Sequence, residues 1–196
     1  STMGLACMGP PKFDVSNFLS AQNRNSYEIH DRGIGEAWGH LSRSWGDPMS
    51  EDHIALASSV QFALEATVLS LITDGLGPRR KPNLCMAGGV ALNCRMNQVV
   101  RDYFDTPNIY VQPAAHDSGT SLGAALEAHF EITGEAQPMV MEHALLGPSY
   151  SNEKIAQTLQ RFGLPVDKRA DIATEVGDLI ADGKIVCWFQ DGLEFG

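Results

Sequence analysis

Apolar residues between positions 50 and 74 recur at three- and four-residue steps: Ile54, Ala57, Val60, Leu64, Val68 and Leu71. That spacing puts them on one helical face and predicts a long, well-buried helix. Ser50 is placed as its N-cap, and Glu51 and Asp52 suit its positive end. His53 stands where a capping-box acid would be, so the box is expected to be incomplete. Gly75 and Gly77-Pro78 stop the helix.

Downstream, the pattern becomes strand, turn and helix, twice in succession. Asn83 to Ala87 reads as a buried strand, Gly88-Gly89 as a tight turn, and Val90 to Tyr103 as a helix. Asn108 to Val111 reads as a second strand, Pro113 to Asp117 as a turn, and Ser118 to Ile132 as a helix ended by Gly134. This alternation implies a parallel α/β arrangement. Before it, residues 1–50 are rich in Gly, Ser, Asn and Pro; only a short strand at Ser26–His30 and a short helix over 35–45, ended by Gly46-Asp47-Pro48, are expected. After it, residues 134–151 read as a linker. Helices are predicted over Asn152–Phe162 and Asp171–Ala181, and a buried strand over Lys184–Phe189. The chain stops just beyond that strand, so it is expected to be a piece of a larger protein.

Hydrophobic residues make up 43% and charged residues 19%, which favours a packed core over disorder. The formal net charge of −10 argues against nonspecific nucleic-acid binding, which needs a basic footprint. It does not exclude a phosphorylated ligand held locally by backbone N–H groups and a metal. No apolar stretch reaches the roughly 20 residues of a bilayer span, and Ser1 to Leu5 shows no secretory leader. A cytoplasmic protein is expected. Its four cysteines lack CxxC spacing and read as reduced thiols, with Cys85 and Cys187 as small buried hydrophobes inside apolar runs. Trp38 and Trp45 are expected to pack a core, and Arg79-Arg80-Lys81 reads as a solvated loop.

Two turns carry candidate chemistry. In Ala87 to Asn93, the glycine pair lets a ligand approach the backbone, and free N–H groups at a helix start favour an anion. Asn93 lies one helical turn beyond Gly89 and Asn97 one further. Spacing alone leaves a plain tight turn equally open. In His116 to Thr120, Asp117 is either a helix N-cap, which spacing alone favours, or a carboxylate ligand for a metal held against phosphate. Gly119 and Gly123 permit close approach. His116 is either a ligand or solvated, and His129 reads as a packing or surface residue. His30, His40, His53 and His143 have no ligand spacing. Two such turns on neighbouring parallel strands strengthen the ligand reading, because open α/β sheets bind ligands at the C-terminal ends of their strands.

Leu84-Cys85-Met86-Ala87-Gly88-Gly89-Val90-Ala91-Leu92-Asn93-Cys94 resembles the signature of the O-carbamoyltransferases of the nodulation and antibiotic-tailoring type. Met3 to Ala6, Pro113 to Leu126, Gly183 to Gln190 and Glu194-Phe195-Gly196 resemble the same family in the same order. The resemblance implies a two-part enzyme. Residues 1–142 would be the second lobe of an actin-like ATPase domain similar to tRNA threonylcarbamoyltransferase, and residues 143–196 a linker and the start of a threonylcarbamoyl-adenylate-synthase-like domain. It implies carbamoyl phosphate and ATP as substrates, carbamoyl-adenylate as intermediate, and a sugar, oligosaccharide or glycolipid hydroxyl such as that of a Nod factor as acceptor. Carried over by position, Asp117 would bind a divalent metal, Fe2+ first and Mg2+ or Mn2+ next. Gly88, Gly89 and Asn93 would line the nucleotide, with Ser118 and Gly119 beside its phosphate. The family's paired metal-binding histidines have no counterpart here, and no general base is named. The isolated chain is therefore expected to be inactive, with exposed apolar surface that a homodimer would cover. The alternatives are a tRNA-modifying relative, an actin-like sugar kinase that would transfer the γ-phosphate of ATP without carbamoyl phosphate, and a noncatalytic nucleotide-binding module.

Overall fold

A computed structural model describes residues 2–23, 26–30, 33–77, 82–136 and 141–195. Pro78 and the basic run Arg79-Arg80-Lys81 lie outside the described residues, as do positions 137–140 of the expected linker and Gly196. The chain forms two compact units, residues 1–124 and 125–196.

The first unit is built on the predicted long helix. Helix α1 (Thr2–Ala6) precedes an antiparallel pair, β1 (Leu19–Asn23) and β2 (Ser26–Ile29). Helix α2 (Ile34–Trp38) and a 3-10 turn, Gly39–Leu41, lead to α3 (Glu51–Leu76). Sequence periodicity missed α1 and β1 and extended the second helix to residue 45. Trp38 packs against Phe18 at 4.5 Å and Phe13 at 6.5 Å between ring centroids, whereas Trp45 is fully exposed.

Three expectations about α3 are corrected. Its capping box is complete, because an imidazole nitrogen accepts as well as a carboxylate does. The Ser50 N–H donates to His53 Nδ1 at 3.0 Å, and the His53 N–H donates to Ser50 Oγ at 3.4 Å. The buried face also follows the apolar stripe only in part: Ala57 is buried, Ile54, Leu64, Val68 and Leu71 are half-buried, and Val60 is exposed. Ala55, Ala57, Ser58, Ser59, Gln61, Glu65 and Thr67 are buried, while Val60 and Phe62 are exposed. Polar partners set this rotation: Ser59 Oγ accepts from the N–H groups of Lys12 (3.1 Å) and Phe13 (3.0 Å) and donates to Ala55 O (2.8 Å). One hydroxyl thus satisfies two loop donors that burial would otherwise leave unpaired. By length and hydropathy alone α3 would pass for a membrane-spanning helix, which corrects the expectation that no apolar stretch reaches a bilayer span.

Strands β3 (Leu84–Met86) and β4 (Ile109–Val111) pair in parallel, with Leu84 opposite Ile109 and Met86 opposite Val111. The predicted parallel arrangement is therefore present as a two-stranded sheet. The strands are not buried on both faces: Cys85 and Tyr110, opposite each other, are exposed. All four cysteines are exposed, which corrects the buried-thiol expectation for Cys85 and Cys187.

Between these strands, helix α4 (Cys94–Phe104) buries Met96, Val100 and Phe104 at four-residue steps. Together with Ala6, Val15, Ala55, Ala57, Ala91, Ala114 and Ala115 they form the core. The predicted single helix from Val90 is split into a 3-10 turn, Gly89–Leu92, and α4. Asn93 breaks it by capping α4, with its Oδ1 accepting from the Met96 N–H at 3.0 Å. The second predicted helix is likewise a 3-10 turn, Asp117–Gly119, followed by α5 (Thr120–Thr133). Its leading cap is His116 rather than Asp117.

In the second unit, α6 (Asn152–Arg161) and α7 (Ile172–Ala181) form where predicted, capped by Ser151 and Asp171. Lys184–Phe189 is not a strand, and Ile185 is 98% exposed. The expected linker is partly ordered, since Leu193 donates to Pro148 O at 3.0 Å and Gly147 to Leu193 O at 2.8 Å.

Candidate functional site

The two candidate turns meet at one rim of the parallel pair. Each follows the C-terminal end of its strand, and the Gly88 N–H donates to Ala115 O at 2.7 Å, joining them. A Cβ built on Gly89 would lie 3.9 Å from His116 Cβ. Gly88 has φ +95, a conformation that a side chain would strain. The Gln112 N–H to Met86 O contact at 3.4 Å continues the pairing beyond the strands. Gly88 and Gly89 are thus brought beside Ala115 and His116, the two residues that precede Asp117.

The donors differ from those expected. The Gly88 N–H is used by Ala115. The Ser118 N–H is used by His116 Nδ1 (3.3 Å) and the Gly119 N–H by His116 O (3.0 Å). Gly119 is required by packing, because a Cβ there would meet Ala114 O at 2.1 Å. Gly123 has nothing within 4 Å of an added Cβ. The rim keeps the N–H groups of Gly89 and Val90, which have no acceptor inside their own turn. It also keeps the exposed Asp117 carboxylate, with which no described residue pairs. Ser118 Oγ lies 3.3 Å from His116 Nδ1.

Asn93 is held from below rather than aimed freely outward. Its Nδ2 donates to Gln61 Oε1 at 2.8 Å, and Gln61 Nε2 donates back to Asn93 Oδ1 at 3.2 Å. Gln61 Nε2 also reaches Glu65 Oε1 at 2.8 Å, and Glu65 pairs with Arg95 Nε at 2.9 Å. Arg95 Nη1 in turn contacts Cys7 Sγ at 3.7 Å; that contact first, and the Glu65 carboxylate next, hold the guanidinium pKa above its ordinary value. Gln61 and Glu65 are 2% and 7% exposed. Gln61, Glu65 and Arg95 carry no motif that marks them in the sequence. The available signal was a polar pair four residues apart within an otherwise apolar helix, which is costly to bury unless each member has a partner. Asn97 Nδ2 props the Gly89–Leu92 turn from the same side, donating to Ala91 O at 2.8 Å.

Among the described residues, no three His, Cys, Asp or Glu side chains group to hold a metal. Asp117 fits as one oxygen ligand and supplies no centre by itself. An apolar cleft of about 560 Å³ lies between α3 and the 11–21 segment, lined by Phe13, Val15, Leu19 and Phe62 among others, and no rim residue lines it.

Residues 3–126 match the family model for the carbamoyltransferase N-terminus. The chain is 33% identical to nodulation protein NolO of Bradyrhizobium diazoefficiens, over 99% of this chain and 37% of that protein. It is 32% identical to nodulation protein NolNO of Sinorhizobium fredii, over 99% of this chain and 30% of that protein. It is 26% identical to the 3'-hydroxymethylcephem-O-carbamoyltransferase of Streptomyces clavuligerus, over 58% of this chain and 20% of that protein. The chain thus spans about a third of the length of the nodulation proteins it matches.

Proposed function

The chain belongs to the carbamoyltransferase family, and from that premise we propose that it supplies one wall of the transfer site of an O-carbamoyltransferase. The reaction is the attack of an acceptor hydroxyl on the carbamoyl carbon of carbamoyl-adenylate. A carbamate ester forms, the carbamoyl–phosphate oxygen bond breaks, AMP leaves, and the hydroxyl proton goes to a base. Carbamoyl-adenylate is drawn from carbamoyl phosphate, water and ATP, with release of phosphate and pyrophosphate, which suits a cytoplasmic enzyme. The acceptor class in this proposal is a sugar or oligosaccharide, as the family resemblance implies. The actin-like lobe assigned to residues 1–142 is part of the same proposal.

One observation carries this reading: the Gly88 N–H to Ala115 O bond that ties two strand-end turns into one rim. Within that rim, the Gly89 and Val90 N–H groups, which have no acceptor inside their own turn, would hold phosphate oxygens. A divalent metal bound at Asp117, completed by ligands outside the described residues, would supply positive charge against the same phosphate. Gly88 shapes the turn, and Asn93 holds the turn rather than the ligand.

The test uses a full-length carbamoyltransferase carrying this sequence, supplied with carbamoyl phosphate, ATP and a panel of glycans. AMP and pyrophosphate release with a carbamoyl mass gain on a glycan is expected. ADP formation without that gain would replace the reading with a sugar kinase.

A further inference from the structure

We propose that Gln61 is a positioning residue, which sets the Gly89–Leu92 turn through Asn93; this rests on the carbamoyl-transfer reading. The turn itself is mostly exposed, with Gly89, Val90 and Leu92 on the surface and Ala91 alone buried. Its internal ties are the Ala91 N–H to Gly88 O bond at 2.9 Å and the Asn93 N–H to Val90 O bond at 3.0 Å. A four-residue turn of this kind has poor hydrogen-bond geometry and little stiffness of its own. Its exit residue, Asn93, sits at φ −77 and ψ 91, outside helical geometry.

What fixes that exit is a reciprocal amide pair. The Gln61 carboxamide both donates to and accepts from the Asn93 carboxamide. Gln61 is in turn fixed by Glu65, and Glu65 by Arg95 of α4. The two amides are matched donor to acceptor, so the orientation of Asn93 is set by a side chain that is itself locked and almost wholly buried. A long core helix is thereby coupled to the backbone N–H groups at the rim. Gln61 touches no substrate in this scheme; it acts through Asn93, where a displacement of about 1 Å at a reacting group is enough to cost on the order of 100-fold in rate.

The test compares Gln61→Ala and Gln61→Glu with the full-length wild type. Three quantities are read: ATP-dependent pyrophosphate release, carbamoyl transfer to the glycan, and amide hydrogen exchange over residues 88–93. Both variants are expected to lose on the order of 10–100-fold in transfer, to keep pyrophosphate release, and to exchange faster over 88–93. Gln61→Glu keeps the size of the side chain and removes its donor, so a benign Gln61→Glu would reduce Gln61 to a packing role and overturn the proposal. Wild-type transfer and exchange in Gln61→Ala would overturn it as well. So would an equal loss of both half-reactions with a melted far-UV circular dichroism signal. The exchange readout separates the two levels. A wild type that transfers nothing sinks the carbamoyl-transfer reading, while faster exchange in the variants still upholds the hold of Gln61 on the turn.

Discussion

Two short apolar runs, one near the middle of the chain and one about a hundred residues further on, have opposite fates. Leu84–Met86 is a strand; Lys184–Phe189, longer and richer in apolar residues, is not. The difference lies in partners. Leu84–Met86 has Ile109–Val111 alongside in register, and α4 between them with Met96, Val100 and Phe104 buried. Lys184–Phe189 pairs with no described strand, and Ile185, Trp188 and Phe189 lie exposed. A strand is half of a hydrogen-bonded pair, so apolar content alone does not make one. The same contrast holds for the units as wholes: the first has a core, whereas Gly192 is the one buried residue among the described residues of the second.

The contrast is sharpest in the cost of removing a large side chain. Phe104 is 2% exposed, and Phe104→Ala should destabilise the first unit by about 3–5 kcal/mol. Ile185→Ala should change stability by no more than about 0.5 kcal/mol. Urea titration followed by circular dichroism measures both, and comparable losses would mean that the 184–189 run has a packed partner after all.

A smaller effect separates two glycines on either side of the start of α5. Gly119→Ala must displace Ala114 O and should cost about 1–3 kcal/mol. Gly123→Ala meets nothing within 4 Å and should be neutral or stabilising by up to about 1 kcal/mol. Thermal melts of the two variants check the order; a reversal would place Gly123 rather than Gly119 at the tight contact.

The smallest effect concerns the exposed second unit. The Glu153 carboxyl is held below its ordinary value of 4.5, first by its own backbone N–H and then by the Ser151 side chain at the start of α6. A depressed folded value means that the stabilisation is present above 4.5 and is lost as pH falls through the lower folded value. Helix content in α6 should hold from neutral pH down to that range and fray below it. Ser151→Ala should weaken this dependence. Helical chemical shifts of α6 followed against pH provide the measurement, and an unchanged profile in the variant would remove Ser151 from the cause.

Much of this was legible because it depends on local pattern. The long helix, both parallel strands, their turns and helices α6 and α7 follow from apolar period, glycine positions and Ser, Asn or Asp caps. The convergence of Gly89 with His116 was legible too, because parallel strands joined by a helix put their turns on one edge. What the sequence did not show depends on particular partners. The buried arc of α3 is set by Ser59, Gln61 and Glu65 gripping other segments, which no hydrophobic period encodes. The internal use of the Gly88, Ser118 and Gly119 N–H groups depends on where Ala115 O and His116 happen to lie. His53 completed a capping box because its imidazole accepts as a carboxylate would.

The account turns on the carboxylate of Asp117, with which no described residue pairs, next in sequence to His116 beside the Gly89 turn. Its most direct test is carbamoyl transfer by Asp117→Ala in the full-length enzyme, with folding followed by circular dichroism. The account predicts that transfer to the glycan is lost while the spectrum is unchanged. Transfer at the wild-type rate would contradict it.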